Sequence, residues 1–270
     1  MYDQPIDRHH PGCIVFLLDQ STSMRDSFAG TRSSKATAVA QAVNDLVRNL
    51  VLQCQRGEEI RDYYELAFIG YAAGARPAWG GSLKDQQLVP ISTIADYPLR
   101  MATETLPGSD LSIDRPVWVD PVANGPTQMT AAIDLAGSFL VDWANGHQQS
   151  FPPIVLNFSD GESTDGDPRP IAEQLRGIST AEGTLLLFNI NLSADRGEPI
   201  EYPNSAEGLH SRYAQCLFDM SSRLTPYMMN AASGLGIPVQ TGARGFVFNA
   251  DPTKLTEFLN VGTQVSVLDR

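Results

Sequence analysis

The sequence predicts a three-layer, doubly wound α/β protein of the Rossmann-like kind, built on a mostly parallel sheet with two loop-rich insertions. Three observations predict it. Short apolar runs alternate along the chain with segments whose apolar residues recur three and four apart, so strands and helices take turns. The runs are apolar almost throughout, as in strands covered on both faces. Two of them deliver a carboxylate straight into a turn, at Asp19 and at Asp160.

The first strand is the run 13–19. The helix after it takes Ser33 or Ser34 as N-cap and lines up Val39, Ala40, Val43, Leu46, Val47, Leu50 and Val51 on one face. A second strand covers 64–71, and 88–91 reads as an edge strand after the turn Trp79-Gly80-Gly81. The stretch 92–126, rich in Pro, Asp and Gly, reads as an insertion across the surface. A helix over 130–145 then puts Ile133, Ala136, Leu140, Val141 and Ala144 at core spacing, and the buried strand Ile154–Ser159 ends in Asp160-Gly161. Asp167 and Pro168 read as N-cap and first residue of a helix that turns Ile171, Leu175 and Ile178 inward. A strand over 184–190 follows, then a second loop-rich insertion over 193–211. A helical region with Met228, Met229 and Ala232 ends at Gly234-Leu235-Gly236. The strand 245–248 and a helix capped by Asp251-Pro252, burying Leu255, Phe258 and Leu259, close the pattern.

A chain of 270 residues, 42% apolar and 19% charged, suits one large domain. The boundaries read as a flexible segment over 1–12, a single domain over 13–262 and a tail over 263–270. A net charge of −12 and only three lysines (Lys35, Lys84, Lys254) argue against nucleic acid and acidic membranes as partners. No apolar run is long enough to span a bilayer, and the start lacks a basic then apolar leader, so the expected location is cytoplasmic. Cys13, Cys54 and Cys216 are odd in number and far apart, which fits small core residues better than disulfides or zinc ligands. His9 and His10 lack a second ligand pair at finger spacing.

The chemistry concentrates at strand ends. Asp19, Ser21 and Ser23 form a D-x-S-x-S turn directly after the first strand. One carboxylate and two hydroxyls in alternate positions can converge on one point, and an oxygen-only set suits a hard divalent cation. Chance alone produces such a pattern in roughly one chain in ten of this length, so context decides. In open parallel sheets ligands bind beyond the carboxyl ends of the strands, where Asp160 also lies and where Thr127 enters the next helix. Asp165 and Asp167 lack calcium-loop spacing and read as exposed turn residues, and Glu162 as a rim residue.

These residues resemble the von Willebrand factor A (VWA) domain family and its metal-ion-dependent adhesion site. Asp19, Ser21 and Ser23 match its first segment, with Met24 continuing the common bacterial form; Asp160-Gly161 matches its third. Thr127 fits the second, with Pro126 where glycine is more usual and Thr130 as a neighbouring choice. The resemblance implies a five-residue metal site, Asp19, Ser21, Ser23, Thr127 and Asp160, in which hydroxyls bind the ion directly and aspartates largely through water. It implies magnesium, with manganese or calcium as alternatives, and a docking point for a protein partner's carboxylate. The runs 217–222 and 242–251 are similar to stand-alone bacterial VWA proteins associated with tellurium resistance. Such proteins are often encoded beside a protein kinase and a metal-dependent phosphatase, which implies a kinase or phosphatase as partner in signalling or stress response.

The alternative is a metal-dependent phosphoryl hydrolase using Asp19 and Asp160 around the same ion. A haloacid-dehalogenase-type phosphatase needs a second Asp where Ser21 stands. The esterase elbow, the P-loop and a dinucleotide fingerprint are absent from the sequence, so a non-enzymatic module is the expectation.

Overall fold

The computed structural model describes residues 2–105, 111–193 and 197–263. Its central sheet has eight strands: β1 (Gly12–Asp19), β2 (Tyr64–Ala72), β3 (Gly74–Pro77), β4 (Val89–Pro90), β5 (Ile154–Ser159), β6 (Leu186–Leu192), β7 (Ile200–Glu201) and β8 (Phe246–Ala250). The order is β7-β8-β6-β5-β1-β2-β3, with β4 also on β2. The inner strands β8, β6, β5, β1 and β2 run parallel, and the short edge strands β3, β4 and β7 run antiparallel. This is the expected three-layer α/β architecture.

Every residue of β1 is buried, and its alternation divides the core. Ile14, Phe16 and Leu18 face one layer, formed by α1 (Lys35–Cys54), α6 (Pro226–Gly234) and α7 (Pro252–Gly262). Cys13, Val15 and Leu17 face the other, formed by α3 (Met129–Gly146), α4 (Arg169–Gly177) and α5 (Arg212–Met220). From β1 the chain moves outward to β2, then returns to β5 on the opposite flank. The gap between the ends of β1 and β5 is therefore the switch point of the sheet, where adjacent loops part.

Several expectations shift. Within the stretch 92–126 the described residues form α2 (Ile91–Asp96) and a hairpin of Arg100–Thr105 with Ser112–Val117, and residues 106–110 lie outside the described residues. The hairpin reads as loop because its strands carry charges instead of an apolar face; Arg115 pairs with Glu104 at 2.6 Å and with Asp45 at 3.2 Å. Its exit is anchored by buried Trp118, whose indole N–H donates to the Ile94 carbonyl at 2.6 Å. Asn44 on α1 accepts the Trp118 and Val119 N–H groups. In the second insertion, β7 adds an edge strand and Leu209 is buried; residues 194–196 lie outside the described residues. Val141, placed in the core by its spacing, is 45% exposed, because Leu140, Trp143 and Ala144 take the inward arc of α3. Where a flexible segment is expected over 1–12, Ile6 is buried in the core and the Tyr2 N–H donates to the Glu182 carbonyl at 2.8 Å. Of the tail, residues 264–270 lie outside the described residues.

Helix ends follow sequence chemistry. Ser34 caps α1 by accepting the Thr37 N–H, and Asp251 caps α7 by accepting the Lys254 N–H. For α4 the helix begins one residue later than expected: Pro168 holds the cap position, while Asp167 takes the Arg169 N–H. The cysteines are free, Cys13 and Cys54 buried and Cys216 half-buried. At the entry to β8, a Cβ on Gly245 would collide with the ring of fully buried Phe188. Gly245→Ala is expected to cost about 1–3 kcal/mol through overpacking. Thermal unfolding should register this as a drop of several degrees; an unchanged midpoint would mean the Phe188 ring has room to move.

Candidate metal centre at the switch point

Three loops meet beyond β1 and β5. Backbone bonds stitch the first loop to the second: Thr22 N–H to the Gly125 carbonyl at 2.9 Å and Asn124 N–H to the Gln20 carbonyl at 2.6 Å. The second is stitched to the third by Thr164 N–H to the Thr127 carbonyl at 2.7 Å. Thr127, buried at the entrance to α3, gives its own N–H to the Thr164 hydroxyl, and its side-chain hydroxyl makes no hydrogen bond among the described residues. That leaves an oxygen donor free.

Asp19 closes β1 and is 3% exposed. One carboxylate oxygen accepts the Ser21 N–H at 2.8 Å, and the other accepts the Ser159 hydroxyl at 2.9 Å. The first bond bends the chain back after the strand, which sets Ser21 and Ser23 side by side. Their hydroxyl oxygens lie 3.0 Å apart, and the Ser23 hydroxyl donates to Asp160 Oδ1 at 2.8 Å. Neighbouring ligands around an octahedral ion with bonds of about 2.1 Å also sit about 3 Å apart. The spacing of the two serine hydroxyls, with the Asp160 carboxylate bonded to one of them, therefore fits the coordination of a small divalent cation.

The structure thus brings Asp19, Ser21, Ser23 and Asp160 into one hydrogen-bonded group, and places Thr127 on the loop bonded to both neighbours. The neighbouring choice, Thr130, is the second residue of α3, and its N–H is engaged elsewhere. Among the described residues there is no cluster of three or more His, Cys, Asp or Glu that could hold a metal ion.

Sequence reasoning missed Lys35. Its ammonium lies 2.7 Å from Asp160 Oδ2, with both side chains buried, and 3.9 Å from Asp26. The signal was present: Lys35 is the first residue of α1, and a cation at a helix N-terminus opposes the macrodipole unless a buried anion holds it there. Lys35 cancels one of the two carboxylate charges behind the hydroxyls. Asp165, expected as an exposed turn residue, instead accepts the Thr130 and Ala131 N–H groups at the start of α3 and the Ser163 hydroxyl at 2.6 Å. Burial raises its carboxyl, but these bonds outweigh that and hold it below the usual range. The third loop is thereby clamped to α3. Glu162 is a rim residue, ion-paired with Arg212 at 3.0 Å.

Beneath the site runs a buried polar chain. The Tyr71 hydroxyl donates to Asn157 at 2.8 Å, Asn157 to Asn189 at 2.9 Å, and Asn189 to Ser221 at 2.9 Å. It ties β2, β5, β6 and the end of α5 into one register below the loops.

No protein-family model and no curated protein matches the chain. Solved structures similar to it include a von Willebrand factor type A protein from Catenulispora acidiphila, at 15% identity and TM-score 0.49, covering 93% of this chain and 41% of that one. Another is proximal thread matrix protein 1 from the mussel byssus, described with a zinc-occupied metal-ion-dependent adhesion site, at 14% identity and TM-score 0.46, covering 95% and 47%. A third is the manganese-loaded TRAP protein of Plasmodium vivax, at 12% identity and TM-score 0.43, covering 93% and 72%. The chain spans under half the length of the first two. These overlaps assign no residue role here.

Burial pushes the Asp19 carboxyl up to about 6; bonds from Ser21 and Ser159 pull it down and the Asp160 charge adds to the rise. With a folded value above the ordinary 3.8, this group's contribution to stability is fully present below pH 3.8 and is lost as pH rises through about 6. A cation needs the deprotonated form, so its grip strengthens over the same interval. The magnesium-induced rise in melting temperature is expected to be full at pH 7.5 and small at pH 5; equal rises at both would show that Asp19 takes no part. Lys35→Met leaves a buried carboxylate uncompensated and is expected to cost about 3–5 kcal/mol without metal. Magnesium should recover a larger share of stability in this variant than in the unmodified protein, and an identical magnesium response would separate Lys35 from the site.

Proposed function

We propose that this chain is a divalent-cation-dependent protein-interaction module that docks an acidic side chain of a partner, and that it is not an enzyme. The observation that carries the reading is the Ser21–Ser23 hydroxyl pair, 3.0 Å apart at the switch point with Asp19 and Asp160 behind it. In this reading Ser21, Ser23 and Thr127 bind the ion through neutral oxygens, and Asp19 and Asp160 hold it through water. Neutral ligands leave much of the ion's charge uncompensated, so a Glu or Asp from a partner completes the coordination. Lys35 deepens that deficit by neutralising Asp160. Magnesium is the proposed ion, with manganese or calcium as alternatives.

The hydrolase alternative meets a geometric obstacle. Both Asp19 oxygens are engaged inside the protein, by Ser21 and Ser159, and the side chain is buried, so Asp19 is poorly placed to attack phosphorus. Beside Asp160, a cavity of about 400 Å³ lined by Glu162, Asp167, Arg169, Arg212 and Tyr213 offers room for residues flanking the partner's carboxylate. The second insertion leads into this wall, which supports its role in recognition. A net charge of −12 argues against nucleic acid as partner. Among the described residues no helix is long and apolar enough to cross a membrane. A cytoplasmic location, and a kinase or phosphatase partner in a tellurium-resistance or stress setting, are proposals that rest on the sequence resemblance.

The test compares partner recovery from the native extract in magnesium, in chelator, and with Asp19→Ala or Thr127→Ala. Partners kept in magnesium should be lost in the other three conditions. A partner set unchanged by chelation, or robust phosphoester turnover that vanishes in Asp19→Asn, would overturn the reading.

A further inference from the structure

At the opposite edge of the sheet, a second cavity of about 400 Å³ opens at the N-terminal ends of β6 and β8. Its wall carries three arginines, Arg176 from α4, Arg223 from the segment before α6, and Arg244 from the approach to β8. In a chain of net charge −12 such a grouping is not a by-product of composition. None of the three has a carboxylate within ion-pair distance among the described residues. The Arg176 Nε is buried without a hydrogen-bond partner there. Arg244 is the fixed member: its Nη1 donates to the carbonyls of Ser221 and Asp219 at 2.9 and 3.2 Å at the end of α5, and its guanidinium lies over the Phe218 ring. Like charges held together cost free energy: burial first, and then the Arg176 and Arg223 charges, press the Arg244 guanidinium toward losing its proton, against the opposing charge of Asp219.

Three guanidiniums around one hollow can be relieved by one group: a multiply charged anion whose oxygens take forked hydrogen bonds. The N-terminus of α6, at Thr225-Pro226, borders the same hollow and adds its positive end. The volume lies within the range of small-ligand sites and exceeds what a single phosphate fills. We propose that this cavity binds a small molecule carrying linked phosphoryl groups, either inorganic pyrophosphate or a nucleoside diphosphate, with its anionic part on Arg176, Arg223 and Arg244. The site is a strand length from the metal centre and shares no residue with it.

Calorimetric titration of the full chain in chelator at low salt, using pyrophosphate, ADP and citrate separately, tests this away from any divalent ion. Pyrophosphate or ADP should bind, whichever is tighter naming the source, and Arg176→Gln and Arg223→Gln should each weaken binding at least tenfold. Asp19→Ala should leave it unchanged, which separates this result from the metal-site reading. No binding of either phosphate compound, citrate binding as tightly as both, or phosphate binding indifferent to the two arginine variants would overturn the proposal. Circular dichroism of both variants should match that of the unmodified chain, since neither side chain makes a hydrogen bond within the described fold.

Discussion

Burying the Asp19 carboxylate at the end of a fully buried strand is the constraint on which the site depends. A carboxylate 3% exposed needs donors on both oxygens, and the chain supplies one from the next turn and one from the neighbouring strand. The Ser21 N–H bond fixes the turn, and the turn sets the spacing of the Ser21 and Ser23 hydroxyls. The Ser159 bond ties that turn to the end of β5, where Asp160 follows. One buried charge thus holds two loops in register without any ion. Its cost appears as the upward push on its own carboxyl, which a cation near the hydroxyls would offset.

The same logic explains Lys35. Asp160, its side chain 2% exposed, is held by the Ser23 hydroxyl on one oxygen and the Lys35 ammonium on the other. A buried ion pair of this kind is a weak source of stability, but removing one partner is expensive, so it locks α1 to the third loop. The third loop is in turn clamped by Asp165 on the start of α3. The oxygens of the site are therefore mounted on strand ends and helix starts, while the wall beside them carries exposed Arg–carboxylate pairs, Arg169 with Asp167 and Arg212 with Glu162.

The sheet and the carboxylates were legible because both depend on local chemistry. β1 and β5 read from their apolar runs, Ser34 and Asp251 from helix capping, and Asp19, Ser21, Ser23 and Asp160 from their spacing after strands. Where local chemistry is silent, reading failed. The hairpin at Arg100–Thr105 and Ser112–Val117 is stabilised by ion pairs and a Trp118 anchor, neither of which has a period. Ile6 docks through a contact with distant core, invisible in a segment of mixed composition. Lys35 and Asp160 stand far apart in sequence, and only the fold shows that they share a charge.

The central claim is that a divalent cation sits against the hydroxyls of Ser21, Ser23 and Thr127 with the two carboxylates behind it. Anomalous X-ray scattering from manganese-soaked crystals at pH 7.5 tests it most directly. The account predicts one strong anomalous peak at bonding distance from Ser21 Oγ and Ser23 Oγ, within reach of the Thr127 hydroxyl, with Asp160 contacting it through water. A peak elsewhere on the chain with none at these hydroxyls, or no peak at manganese concentrations that saturate hydroxyl-based sites, would contradict it.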